Sequence, residues 1–373
     1  MSQKTIYNHS IMTCTHDKVT GNYLYCGRVL GMTAPEDIIQ LHPDLAAEWP
    51  FILEHYRRIG LEHTETVIWD DSLDYLEKHD ECDRSVFYFG DTIQLHQKRQ
   101  RWFEQLDPAW AKAVKFMNCK NNFIQLAHEL GVKVPQTLCF ASKAELQPEA
   151  QFTYPCYLKP AISVDGVGIV RCEKQSDLLA GLEAIADEMP IQIQAEVVAP
   201  TFLNLQYQAT PDGAERLAAT EQILDGFTHQ GNRHPASYAP WETVDPMAAW
   251  VVQNGIKGIF AFDVAVVPEA DEDDSANTVK FLAIECNPRF NGASYPTGIA
   301  RKLGITHWMH KNFKTRYRSL KDINLGELEF NPQTHVGAIL VNWGPILVGQ
   351  ISVLLAGSPQ QQEQLSAALA EHL

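Results

Sequence analysis

Apolar and polar residues alternate most clearly in the run Phe-Leu-Ala-Ile-Glu-Cys-Asn-Pro-Arg-Phe-Asn-Gly, from Phe281 to Gly292. Its two-residue period predicts a strand with Leu282, Ile284 and Cys286 facing an apolar core, and with Phe281, Ala283, Glu285 and Asn287 on the other side. Pro288 has no N–H for a ladder and biases Asn287 toward an extended conformation. The strand should therefore stop there and release Arg289, Asn291 and Gly292 into a loop. Gly255 to Val267 carries the same period, with Ala261, Asp263 and Ala265 on one face and Phe260, Phe262, Val264 and Val266 opposite. Paired as a hairpin across the acidic run Glu269 to Asp274, the two strands would bring Asp263 and Glu285 together.

The rest of the chain reads as mixed helices and strands. Residues 1 to about 30 give no clear period, and Gly21-Asn22, Gly27 and Gly31 interrupt them. Pro35-Glu36-Asp37 resembles a helix's first turn, and a second helix runs from about Leu45 to Ile59, closed by Gly60. A strand at Glu65 to Trp69, an acidic helical piece at Ser72 to Lys78 and a strand at Ser85 to Phe89 complete an α/β unit. It ends on Gly90-Asp91, the carboxyl end where open α/β sheets bind ligands. Lys98, Arg99 and Arg101 before Trp102 read as a solvated helix face. Asn118 is the expected N-cap of a helix with Phe123, Leu126, Ala127 and Leu130 on one stripe and Gly131 at its end. Lys120 then lies in the first turn, where a cation suits holding an anion at the helix N-terminus.

Further on, strands ending at Lys159-Pro160 and Cys172 flank a loop with Ser163, Gly166 and Gly168. Backbone N–H groups of such a loop can fold over phosphates, and a strand-borne Lys can bridge them. A G-x-x-x-x-G-K-[ST] loop is absent and no helix follows, which excludes P-loop and Rossmann sites. After a helix at Ser176 to Glu188 and a strand at Ile191 to Val198, Glu196-Val197-Val198 is either an ordinary strand end or a linker whose backbone pairs with an adenine edge. Strands Asn204 to Thr210 and Leu217 to Ile223 form a hairpin, and Asp225 to Pro235 is expected as a polar loop with Asn232 and Arg233 as substrate contacts. Helices follow at Met247 to Gln253 and Ser294 to Leu303. Gly337 to Gly357 reads as two buried strands around Asn342-Trp343-Gly344-Pro345, and Ser358, Pro359 and Gln361 open a capped last helix.

Composition narrows the chemistry. A chain of 373 residues, 45% hydrophobic, has room for two or three layered domains, and a formal charge of -16 repels nucleic acid and anionic membranes. The eight cysteines are scattered singly with no ligand-like spacing, which fits a reducing compartment, and the polar N-terminus lacks a signal-peptide core. A cytoplasmic protein is expected. A polyanionic substrate would need metal ions and a few placed cations. Glu and Asn oxygens suit a hard cation such as Mg²⁺, and an Arg fork suits a phosphate or carboxylate.

Taken in order, Lys120, Lys159 with its Ser/Gly loop, the Glu196 linker, Asp263, Glu285, Asn287 and Arg289 resemble the ATP-grasp superfamily over roughly residues 110 to 310. The resemblance implies an α/β (α+β) ATP-grasp fold with an N-terminal α/β pre-ATP-grasp domain (1–110), a small lobe (111–195), a large lobe with a metal site (196–325) and a small C-terminal β-rich extension (326–373). It implies ATP on Lys120 and Lys159 beneath Ser163, Gly166 and Gly168, with adenine at Glu196 and Val198. Mg²⁺, or Mn²⁺ in its place, would sit on Asp263, Glu285 and Asn287. Arg289 and Lys159 would act on the reacting group, and Asn232, Arg233, Asn291 and Gly292 on substrate. Where many relatives carry a ribose-binding Glu this chain has Phe202 and Asn204, so Glu196 is expected to substitute.

The activity so implied is an ATP-dependent ligase that activates a small carboxylic acid or amino acid as an acyl phosphate and joins it to an amine, in peptide, siderophore or other natural-product synthesis. Its partners are then small acids and amines, without nucleic acid or membrane, and a homodimer is compatible. The alternatives are a biotin-carboxylase-like or phosphoribosylamine-type enzyme, disfavoured by the missing carrier domain and the unmatched N-terminal region, and an ATP-binding regulatory protein without turnover.

Overall fold

The computed structural model describes residues 4–11, 20–78, 81–87, 97–146, 152–163, 168–226, 228–269 and 278–373. Near the N-terminus, β1 (Thr5–Asn8), β2 (Ile38–Gln40), β3 (Val67–Ile68) and β4 (Asp83–Val86) form a parallel sheet in the order β3-β2-β1-β4. The parallel strands are joined by crossovers, among them a 3₁₀ helix at Asn22–Met32 and α1 (Trp49–Arg58). The expected helix start at Pro35 is overturned. The Asp37 carboxylate accepts from Ala34 N at 2.6 Å and from Thr5 N at 2.9 Å, which closes a tight turn and sends the chain into β2. Gly90 and Asp91 lie outside the described residues.

Helices α2 (Gln97–Leu106), α3 (Pro108–Asn118) and α4 (Lys120–Glu129) lead to an antiparallel sheet of β5 (Thr137–Phe140), β6 (Cys156–Pro160), β7 (Val170–Cys172) and β8 (Ile191–Ala195), ordered β5-β8-β6-β7. With α5 (Gln175–Glu183) it encloses a small core of Cys156, Leu158, Cys172, Leu178, Ile191 and Ile193.

The largest sheet contains β9 (Thr201–Thr210), β10 (Gly213–Asp225), β11 (Thr228–His234), β12 (Ile259–Pro268), β13 (Val279–Asn287), β14 (Trp308–Lys314), β15 (Gly337–Asn342) and β16 (Gln350–Ala356). Its order is β13-β12-β9-β10-β11-β14-β16-β15, so the C-terminal strands complete the same sheet. The segment expected as a polar loop is β11, paired with β10 and β14. Its polar residues carry no apolar alternation because one face lines a site. Gly231 is needed for this pairing, since a Cβ there would stand 1.8 Å from the His310 carbonyl oxygen.

Helices α3, α4 and α6 (Asp245–Gln253) cover one end of this sheet, packing Val114, Phe123 and Met247 against Leu205, Phe260, Phe262 and Val264. A second core joins Leu24, Leu30 and Tyr56 of the N-terminal region to Trp308, Trp343 and Leu354. Tyr56 donates to the Leu340 carbonyl at 3.0 Å, and Leu340 N donates to His55 Nε2 at 3.1 Å. The His55 proton is therefore on Nδ1, which donates to Glu329 at 2.7 Å, while Arg58 grips the same carboxylate through Nε and Nη2 at 2.8 and 2.7 Å. These bonds clamp the N-terminal sheet to the large one.

The expected strand pair around Asn342–Pro345 is present, with a 3₁₀ turn at Gly344–Val348 between its arms. The last helix, α8 (Pro359–His372), follows α7 (Ser294–Lys302) in the helix order and opens with the capping box expected of Ser358 and Gln361. Among the described residues no helix is long and apolar enough to cross a membrane.

Candidate active site

A cavity of about 860 Å³ lies between the small sheet, the large sheet and the N-terminal region. The β12–β13 hairpin supplies its acidic wall. Asp263 pairs with Glu285 in register, whereas Val264 pairs with Ala283, so Ile284 is the extra residue of a β-bulge. The bulge resets the alternation. Ala283 and Cys286 are buried in the helix-covered core with Phe281 packed against it, while Ile284, Glu285 and Asn287 line the cavity. The expected inward Leu282 and Ile284 are thus corrected: Ile284 lies on the cavity side and Leu282 is half-buried outside that core.

Asp263 accepts from Asn204 Nδ2 at 2.7 Å and from Asn287 Nδ2 at 3.1 Å. Asn291 Nδ2 in turn donates to Asn204 Oδ1 at 3.3 Å. Burial and the neighbouring Glu285 carboxylate push the Asp263 carboxyl well above the usual range, and the two amide donors oppose this. Two carboxylates side by side, in register across the hairpin, ask for a cation. Among the described residues no group of three His, Cys, Asp or Glu could hold a metal ion. The donor set here is two carboxylates and an amide, which suits Mg²⁺, an ion that typically takes one or two carboxylates and completes its shell with water and phosphate.

Two lysines face this wall. Lys120 begins α4, as expected from its place in the sequence, and its N–H bonds the Ala161 carbonyl at 2.8 Å. Its Nζ donates to Ser163 Oγ at 3.2 Å and stands 3.7 Å from Glu285 Oε2. Lys159, on β6, donates to Gln194 Oε1 at 2.7 Å. Burial lowers the Lys159 ammonium to about 8, with Glu285 opposing and Lys120 adding to the shift. The expected cap, Asn118, instead ends α3. The chain turns extended at Cys119, which takes the N-cap position of α4, and the Asn118 amide oxygen accepts from Arg289 Nη1 at 3.3 Å.

Arg289, Asn291 and Gly292 leave β13 as expected and line the cavity. So does Asn232, which bonds His229 at 2.7 Å and donates to Thr220 Oγ1 at 3.1 Å. Arg233, its neighbour on β11, points the other way and pairs with Glu363 of α8 at 2.5 Å, so strand parity removes it from the site. At the linker, Ala195 and Val197 line the cavity, but Val198 is 79% exposed. The Glu196 carboxylate is engaged by Arg171 at 2.6 and 3.0 Å and by the Tyr157 hydroxyl at 2.7 Å, which hold it at about 2. Gly168 adopts a φ of 80° beside Ile169, a lining residue, and Gly166 lies outside the described residues.

Sequence reading missed Gln194, Arg28, His310 and Asn342, all lining residues. Gln194 alternates with Ile191 and Ile193 on a buried strand, and His310 and Asn312 alternate with Met309 and Phe313. Polar residues recurring at one parity of a buried strand were the available signal.

A scan against protein-family models gave no match, and a search of curated proteins gave none. Solved structures do match. N5-carboxyaminoimidazole synthetase from Staphylococcus aureus superposes with a TM-score of 0.62 at 14% identity, covering 100% of this chain and 98% of that one. N5-carboxyaminoimidazole synthase from Aspergillus clavatus, in complex with ADP and 5-aminoimidazole ribonucleotide, gives 0.51 at 13% identity over 92% and 99%. A protein from Archaeoglobus fulgidus described as a putative ATP-grasp superfamily protein gives 0.57 at 13% identity over 95% and 100%. At these identities the likeness is one of architecture, and the chain has the ATP-grasp fold.

Proposed function

We propose that this chain is an ATP-dependent ligase that activates a carboxylate, or bicarbonate, as an acyl phosphate and joins it to an amine, releasing ADP and phosphate. The observation that carries the reading is the convergence of Lys120, Lys159, Asp263, Glu285, Asn287 and Arg289 on one cavity. A carboxylate is a poor electrophile, and phosphorylation gives it a leaving group. That transfer is mostly positioning and charge neutralisation, for which lysines, an arginine and acidic metal ligands are suited. Lys120 and Lys159 would bind phosphate oxygens in place of their present partners, Ser163 and Gln194. Asp263, Glu285 and Asn287 would hold Mg²⁺, which when bound neutralises phosphate charge. Arg289, anchored on Asn118, would meet the developing charge on the transferred group.

Two substrate readings differ in their support. A phosphoribosylamine-type enzyme is better supported than a peptide or natural-product ligase, because the matched architectures are N5-carboxyaminoimidazole synthetases over nearly their full length, N-terminal region included. The N-terminal region, in which no substrate motif is identified, has a counterpart in architecture in those structures. The test is ADP and phosphate release with Mg²⁺ across a grid of bicarbonate and carboxylic acids against amines, 5-aminoimidazole ribonucleotide among them. Release that requires both an acid and an amine is expected. ATP binding without turnover on any pair would favour a regulatory nucleotide binder.

Lys159 gives this reading a pH signature. Only its ammonium form pairs with phosphate, and the free protein loses that proton as pH rises through about 8. ATP affinity is expected to be flat toward neutral pH and to fall by up to about tenfold per unit above 8, measured by calorimetry. Lys159→Arg should flatten the curve. A wild-type affinity that does not fall with alkaline pH would remove Lys159 from the phosphates.

A further inference from the structure

The cavity extends beyond the acidic wall. In the sheet order β14 stands four strands from β12, about 19 Å at ordinary strand spacing. There His310 of β14 and Asn342 of β15 line it together with Arg28 of the N-terminal 3₁₀ helix, and none of the three has a role in the scheme above.

Arg28 is only 9% exposed and sits among aromatic rings, its Cζ lying 4.3 Å from the ring centroid of Tyr295, 4.9 Å from that of Phe87 and 5.4 Å from that of Tyr25. The rings favour the cation but accept no in-plane hydrogen bonds. Its Nε and Nη2 are buried with no hydrogen-bond partner. Those two atoms form the side-on fork of a guanidinium. Elsewhere in this protein the same edge is filled: Arg58 uses it on Glu329 and Arg171 uses it on Glu196. Among the described residues the acidic side chains lining the cavity are Asp263 and Glu285 of the hairpin wall, and neither bonds the Arg28 fork. Both ring nitrogens of His310 and Oδ1 of Asn342 are likewise buried without partners. Burial holds His310 at about 3, leaving a neutral ring with one donor and one acceptor. A buried guanidinium with its fork unfilled, in a cavity also lined by partnerless polar atoms, is costly in a protein that must be stable alone, and it is what a site looks like before its ligand arrives.

We propose that Arg28 binds an anionic group of the amine substrate, a carboxylate or a phosphate monoester, through Nε and Nη2, with His310 and Asn342 contacting uncharged polar atoms of the same molecule. This rests on the ligase reading and narrows its amine to one that carries an anion away from the reacting nitrogen. One guanidinium and a neutral histidine supply a single positive charge for either oxyanion.

The test uses calorimetry on the full chain loaded with Mg²⁺ and a nonhydrolysable ATP analogue. The probes are ribose 5-phosphate beside ribose, and glycine and glutamate beside glycinamide. One anionic probe is expected to bind at least about tenfold more tightly than its neutral counterpart, a difference that Arg28→Gln erases and Arg28→Lys restores in part. Response to ribose 5-phosphate assigns a phosphate, and response to the amino acids a carboxylate. The melting temperature of ligand-free Arg28→Gln should be no lower than that of wild type, because a buried charge with two unsatisfied nitrogens has been removed. Should that variant melt lower, Arg28→Lys, which keeps the charge and loses the fork, carries the comparison. Absence of any anion preference, or a preference that survives both substitutions, overturns the proposal. Failure of the ATP analogue to bind would instead sink the ligase reading, so the two failures are distinguishable.

Discussion

Glu285→Gln should cost turnover about a thousandfold, roughly 4 kcal/mol, without costing stability. The carboxylate lies directly across the hairpin from Asp263 and 3.7 Å from the Lys120 ammonium, so in the proposed reaction it touches both the metal and the phosphate-binding lysine. A glutamine keeps the shape and one oxygen but not the charge. Stability should move the other way. In the fold Asp263 gives up its proton less readily than in the unfolded chain, from burial and from Glu285. Such a raised carboxyl costs stability as pH rises from the ordinary carboxyl range through the raised value, and the cost is complete above it. Removing the Glu285 charge removes part of that cost, so the variant's melting temperature at neutral pH should equal or exceed that of wild type. A structural role for Glu285 would produce the opposite, a lower melting temperature with activity falling in proportion. Turnover within about tenfold of wild type would remove Glu285 from the chemistry.

The hairpin that makes this prediction possible was legible because Asp263 and Glu285 each interrupt a strongly apolar alternation, and an ionisable group on a half-buried strand is costly unless a partner or a ligand meets it. The bulge between them was not. An inserted residue such as Ile284 leaves the composition of the strand unchanged and shows only in the pairing. Position on a strand, once known, separates residues that sequence treats alike: Asn232 faces the cavity and Arg233 meets Glu363. Before β11 was seen as a strand there was no parity to apply. Asp37 shows the same limit at a turn, since Pro-Glu-Asp opens many helices and only the distant Thr5 N–H decides that this carboxylate ties β1 to β2 instead. The far end of the cavity was hidden for a further reason. Arg28 comes from an N-terminal segment with no clear period, and His310 and Asn342 come from two separate strands, so only folding brings them to one place.

Arg289→Ala separates catalysis from nucleotide binding. Arg289 follows the strand that ends at Asn287, lines the same cavity as the two lysines, and rests on the Asn118 amide oxygen at the junction of α3 and α4. That contact ties it to the segment that also places Lys120. A guanidinium so held is positioned to meet charge on the transferred phosphoryl or acyl group, an interaction that strengthens only as the reaction proceeds. The expected result is a fall in turnover of about a hundredfold to a thousandfold with ATP affinity changed by no more than a few-fold, measured as kcat and as calorimetric Kd. Arg289→Lys should recover little, because an ammonium offers neither the planar fork nor the reach to Asn118. Asn118→Ala, which leaves the guanidinium in place but unanchored on that side, should lose less, about tenfold, and in kcat rather than in ATP binding. The regulatory alternative predicts the reverse pattern, since a protein that only senses ATP has no transferred group to stabilise. If Arg289→Ala loses ATP affinity in step with turnover, the arginine binds the ground-state nucleotide and its assignment to the reacting group fails.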